Sequence, residues 1–246
     1  MLVARGLRLL LSLPLISVLA LWGQPGLRAD VTSRWREDGA VRVLFPPRTT
    51  KPSAVVHFIG GFLVGRAAAL SYNDLLEDLA NRGLIICATR IPLVSLAHGE
   101  VASACAAEFR RCYRTLQCSA DLPVIGLSHS LGGKLTALCA SSAAPSLNRA
   151  NVFLAFNNYP MASGDKQFNP SPEETWSLIS SAYTVPRNLC VRFAGDTIDQ
   201  SSELDRALKT RGVESSVLVL PGDHLTPNRR DLPVFARLAD AMKELL

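Results

Sequence analysis

Residues 123–133 read Pro-Val-Ile-Gly-Leu-Ser-His-Ser-Leu-Gly-Gly. An apolar run passes through serines into paired glycines, and a helical stretch follows through Leu138. This confines the chain to folds in which a strand turns sharply into a helix. In such a turn the two backbones nearly touch, so the positions two before and two after the central residue must be small. With Ser130 at the centre those positions are Ser128 and Gly132, and Gly133 is small too. Ser128 stands where glycine is usual, which adds strain. A second register centres Ser128 between Gly126 and Ser130. It loses the glycine after the turn and leaves Gly132-Gly133 unexplained inside a helix, so Ser130 is preferred. Lys134 does not complete the Gly and Lys spacing of a phosphate loop.

The remainder of the chain alternates short apolar runs with segments of helical period. Ala54-Val55-Val56-His57-Phe58-Ile59 predicts a buried strand ending at Gly60-Gly61. A helix over 71–82 follows, capped by Ser71 and stopped by Gly83, and Leu84 to Thr89 form the next strand. Residues 98–116 carry Val101, Cys105, Phe109, Cys112 and Leu116 at helical spacing. Further strands are expected at 123–128, 151–156, 189–193 and 216–220, with a helix near Ser202–Leu204 and a closing amphipathic helix at 230–245. This rhythm predicts an α/β fold, a mostly parallel sheet with helices on both faces. The interval 160–186 breaks it with Asn169-Pro170-Ser171-Pro172 and a helical stretch around 173–179. It is read either as a small lid over the site or as an ordinary crossover.

A serine hydroxyl becomes a useful nucleophile when a histidine takes its proton. The chain has four histidines. His57 lies mid-strand and is read as a packed core residue, His98 opens a helix and is read as solvated or capping, and His129 sits inside the turn, pointing away. His224, in the loop after the last strand, remains as the base. The orienting acid should follow the strand at 189–193. Asp196 is preferred, with Asp199 as the alternative acid or a helix cap, and Asp223 is read as a turn residue. An oxyanion needs two backbone N–H donors. Leu131 supplies one, and the glycine-rich loop after the strand 54–59 supplies the other, Phe62 first and Gly61 next.

Charge and composition narrow the partners. The formal net charge is +5, but residues 1–36 hold five arginines against Asp30 alone, leaving +1 for the rest. Such a body presents no basic face, and nucleic acid is not an expected partner. Arg5 and Arg8 precede an apolar run, Leu9 to Trp22, so residues 1–32 are set apart as a targeting or anchor segment, with membrane association through 9–22 or export as its consequences. Residues 33–246, in a chain 48% hydrophobic, make one domain with a large core. The six cysteines lack metal spacing and are read as reduced, with a surface disulfide at Cys112 or Cys118 left open. No cofactor or metal is required by the expected chemistry.

With these residues in place, the chain resembles an α/β-hydrolase-like family of unknown function from cyanobacteria and plastids, within the α/β-hydrolase superfamily. The stretches that carry the resemblance are 54–62, 126–133, 156–160 (Phe-Asn-Asn-Tyr-Pro), 170–176 and 196–201. The resemblance implies the α/β-hydrolase fold and a plastid or cyanobacterial location, and leaves the substrate open. The motifs themselves predict a serine hydrolase acting on an ester or related acyl bond, with a small apolar acyl or ester substrate. The competing reading is a catalytically inactive binding or assembly protein on the same scaffold. Acyltransfer is not separated from hydrolysis by these motifs.

Overall fold

The computed structural model of the protein describes residues 34–116, 122–160 and 167–245. Its strands are β1 (Trp35–Asp38), β2 (Val41–Leu44), β3 (Ala54–Ile59), β4 (Leu84–Thr89), β5 (Val124–His129), β6 (Ala150–Leu154), β7 (Arg187–Phe193) and β8 (Glu214–Leu220). They form one sheet in the order β1-β2-β4-β3-β5-β6-β7-β8. From β4 to β8 every neighbouring pair is parallel. Every residue of β3, β4, β5 and β6 is buried, which is why these strands read as unbroken apolar runs rather than alternating ones.

The hairpin of β1 and β2 escapes that reading. Each strand has four residues, and β1 turns Arg36 and Glu37 to solvent at the sheet edge. Gly39, at φ 61°, makes the tight turn that brings Asp38 opposite Val41. β2 then pairs antiparallel with β4.

The larger helices are α1 (Asn73–Asn81), α2 (His98–Thr115), α3 (Leu131–Ala140), α4 (Pro172–Ala182), α5 (Ser201–Arg211) and α6 (Leu232–Lys243). One face of the sheet is covered by α1 and α6, whose Leu75, Leu76, Leu79, Phe235, Leu238 and Met242 join Val56, Phe58 and Ile86 in one core. The opposite face carries α2 to α5 in adjacent pairs. Ser71 does not cap α1. It ends a preceding helical turn (Ala68–Ser71), and Tyr72 takes the capping position with no side-chain bond.

Within 160–186, residues 161–166 lie outside the described residues. From 172 onward the chain is the β6–β7 crossover. Ser171 and Glu174 close a reciprocal capping box at the start of α4, and Ile179, Tyr183 and Val185 pack with Phe153, Phe156 and Leu204. Cys105, Cys112, Cys139 and Cys190 are free thiols, and Cys112 is buried beneath the sheet with Val43, Ile85 and Phe109. The expectation for Cys118 falls outside the described residues, as does the apolar run 9–22. No helix among the described residues is long and apolar enough to cross a membrane.

Among the described glycines, the closest approach to other backbone lies at Gly132, where an added Cβ would stand 2.1 Å from the Ile59 carbonyl oxygen and 2.7 Å from that of Gly60. Neither is a flexible group. Gly132→Ala should lower unfolding free energy by about 1–3 kcal/mol, or more if β3 cannot retreat. Gly99→Ala, whose Cβ finds its nearest neighbour at 3.4 Å on a helix, should be neutral or stabilising by up to about 1 kcal/mol. Urea titration of the two variants tests the contrast, and equal stability would refute it.

Candidate active site

At the carboxyl end of β5 the chain inverts. Ser130 has φ 54° and ψ −120°, a left-handed backbone for a non-glycine residue, and its N–H donates to the Leu154 carbonyl at 3.0 Å. Holding such a conformation costs about 1–3 kcal/mol and persists only where surrounding structure enforces it. Here β5 on one side, α3 on the other and Gly132 against β3 enforce it. Ser128 lies within β5, wholly buried, its hydroxyl donating to Val152 O at 3.3 Å. The centre of the turn is therefore Ser130, and the serine in place of the first glycine fits because its hydroxyl finds a carbonyl.

Three of the expected side chains come together. His224 Nε2 lies 3.0 Å from Ser130 Oγ, and its Nδ1 lies 2.7 Å from Asp196 Oδ2. The Asp196 side chain is fully shielded from solvent, and its other oxygen accepts the Ile198 N–H at 2.9 Å. A proton on Nδ1 held by the carboxylate leaves Nε2 as an acceptor for the serine hydroxyl. The loops bearing acid and base are joined directly, Gly195 N–H donating to Gly222 O at 2.8 Å. Asp199 takes no part in this chain. It accepts from the N–H and hydroxyl of Ser201 at the start of α5 and pairs with Arg192 at 3.1 Å. Asp223 is a turn residue, accepting from Leu225 N–H.

Of the three oxyanion candidates, Gly61 is otherwise engaged. Its N–H donates to the Tyr72 hydroxyl at 2.8 Å, because the loop turns that amide toward the buried phenol rather than toward Ser130. The amides of Phe62 and Leu131 have no acceptor among the described residues, and Leu131 opens α3, where the first-turn N–H groups and the helix dipole face the serine.

His129 does not point away. Its Nδ1 lies 2.8 Å from the Tyr72 hydroxyl, and its Nε2 2.8 Å from the backbone oxygen of His224. Burial raises the Tyr72 phenol well above its ordinary value and lowers His129 well below it. The phenol thus keeps its proton and donates to Nδ1, while neutral His129 carries its proton on Nε2 and donates to the His224 carbonyl. One buried chain, Gly61 to Tyr72 to His129 to His224, ties the glycine loop to the loop of the base. The sequence reading missed it because the strand period alone turns His129 away.

His57 is core, stacked on Phe109 at 4.0 Å and 3.1 Å from Thr89 Oγ1. His98 is not solvated. It is buried and stacked on Phe168 at 4.3 Å, since residues 168–170 fold across the start of α2. Lys134 is buried as well, its ammonium 3.0 Å from Pro170 O and over the Phe168 ring, and desolvation lowers it to about 8. A residue that went unassigned also bonds the serine: Asn157 Nδ2 donates to Ser130 Oγ at 3.1 Å. Its position, three residues past the end of the strand beside β5, was the available signal.

Strand order and a positive-φ serine at the β5–α3 turn define an α/β-hydrolase fold. The chain belongs to the family described as "Protein of unknown function (DUF1350)", which matches residues 34–236. Among solved structures it is similar to TT1662 from Thermus thermophilus, with 19% identity, 86% of this chain and 98% of that one covered, and a TM-score of 0.56. It is also similar to a thermostable carboxyl esterase from Bacillus coagulans (10% identity, 86% and 97% covered, TM-score 0.61) and to the peroxisomal α/β-hydrolase Lpx1 from Saccharomyces cerevisiae (10%, 83% and 81%, 0.64). These likenesses carry the fold. No match was found among curated protein sequences.

The buried histidines make stability depend on pH. Desolvation lowers His57 to about 3 and His98 to about 4, from 6.5. Below pH 6.5 the unfolded chain binds protons that the native state refuses, so the stability these groups allow is intact above 6.5 and falls toward pH 4. Each contributes about 1.4 kcal/mol per pH unit in that window. Urea unfolding at pH 7 and 5 should show the loss, and His57→Gln should flatten the slope. A pH-independent midpoint would contradict it.

Proposed function

We propose that the protein is a serine hydrolase that cleaves an ester or related acyl bond through an acyl-enzyme. The observation that carries this reading is the unbroken hydrogen-bonded chain from Ser130 Oγ through His224 to buried Asp196. Attack of Oγ on the substrate carbonyl transfers the hydroxyl proton to Nε2, and Asp196 stabilises the imidazolium that results. The N–H groups of Leu131 and Phe62 receive the oxyanion. The imidazolium then protonates the leaving alcohol, and water activated by the same nitrogen releases the acid and restores the serine. Phe62, 43% exposed, lies in the loop of the oxyanion donor, and Leu225, 37% exposed, follows the base directly. Leu63 and Leu131, next to Phe62 and Ser130 in the chain, are half-buried. That setting favours an apolar acyl group.

A fluorophosphonate should label the wild-type protein and fail to label Ser130→Ala. On short p-nitrophenyl esters, His224→Ala should lose on the order of 10⁴-fold or more in kcat, and Asp196→Asn about 10⁴-fold, because the amide stabilises the wrong imidazole tautomer. Asp199→Asn should retain most of the activity. Folded, unlabelled wild-type protein would instead favour the non-catalytic scaffold, and loss in Asp199→Asn matching that in Asp196→Asn would reassign the acid.

A further inference from the structure

We infer that Asn157 is a catalytic residue of this site, acting on the breakdown of the acyl-enzyme. The inference rests on the hydrolase reading above. Residues 156–158, Pro172 and Gln200-Ser201 meet at this point through bonds that the triad itself does not use. Asn158 N–H donates to Gln200 Oε1 at 2.6 Å, and Asn158 Nδ2 to Pro172 O at 2.9 Å. Gln200 N–H returns to Phe156 O at 2.7 Å, and Phe156 N–H goes to Ser201 Oγ at 3.2 Å. Just upstream, Ala155 is held at φ 48°, a second non-glycine residue in the left-handed region beside the elbow. Every one of these restraints falls on a neighbour of Asn157, whose own half-buried side chain makes its bond to Ser130 Oγ.

The direction of that bond follows from proton accounting. The serine oxygen owns one proton, turned to His224 Nε2. Its remaining partner must therefore donate, and the Asn157 amide does so onto a lone pair. The attack and the later departure of Oγ pass through the same charge on that oxygen. In the resting enzyme, however, the hydroxyl already accepts this bond, so the starting state of acylation shares the stabilisation and acylation gains less. Once acylated, Oγ is an ester oxygen and a poor acceptor. When water has added to the acyl carbon and the tetrahedral adduct collapses, the C–Oγ bond breaks and its electron pair returns to Oγ. His224, carrying the proton taken from the water, delivers it to that oxygen. The charge that builds on Oγ before protonation meets an amide already aimed at it, and only interactions that strengthen on the way to the transition state accelerate a step.

Two rates separate this role from a structural one. For a p-nitrophenyl ester, kcat/KM reports acylation, and deacylation is read as first-order loss of the acyl mass adduct after excess substrate is removed. Asn157→Ala should slow deacylation by about 10- to 100-fold while kcat/KM changes little, so that the variant accumulates acyl-enzyme at steady state. The near-isosteric Asn157→Asp, which replaces the donor by a carboxylate, should slow deacylation at least as much. Equal losses in both rates, or no loss in deacylation, would overturn the role of Asn157 alone. Absence of a Ser130-dependent acyl adduct in the wild-type protein would overturn the hydrolase reading, and this role with it.

Discussion

The approach of Gly132 to the end of β3 is the constraint on which the other features depend. Because that glycine lies against the Ile59 and Gly60 carbonyls, α3 starts directly at the sheet edge, and the residue between strand and helix must reverse its backbone. Ser130 is that residue. Its left-handed φ raises the hydroxyl above the strand ends, where loops from β3, β6, β7 and β8 also emerge. The strain is local, and the large core formed by α1, α6 and the sheet holds it in place.

Around the serine, the loops are bonded to one another rather than only through Ser130, His224 and Asp196. Gly195 and Gly222 join the acid and base loops. Tyr72 and His129 join the glycine loop to the base loop, and Asn158 and Gln200 join the end of β6 to the start of α5. Groups aimed in advance at a developing charge need no rearrangement when it forms, and such preorganisation is the main source of electrostatic catalysis. The cost is a set of buried polar atoms: Tyr72 and His129 satisfy one another by fixing each other's proton, whereas Asn158 Oδ1 finds no partner among the described residues.

The sheet and the elbow were legible because both follow from short-range rules. Fully buried parallel strands read as apolar runs, and the turn demands small residues at fixed offsets. Ser130, His224 and Asp196 followed from chain order along those strands. What escaped depends on contacts distant in sequence. The β1–β2 hairpin is too short and too polar at its edge to stand out from a loop. Gly61 looked like an amide donor to substrate until Tyr72, eleven residues on, claimed it. His98 looked solvated because nothing local announces that Phe168 will cover it. Asn157 is an ordinary amide in a motif, and only its proximity to an oxygen 27 residues away gives it meaning.

The position of β8 at the rim of the sheet has a bearing on biosynthesis. The serine is 94 residues ahead of the imidazole that would arm it, and the carboxylate also arrives after it in the chain. A ribosome-bound product that has folded only through β6 would carry the elbow without any group able to draw off its proton. On the proposed hydrolase reading, reactivity would then switch on once, with the docking of the last strand.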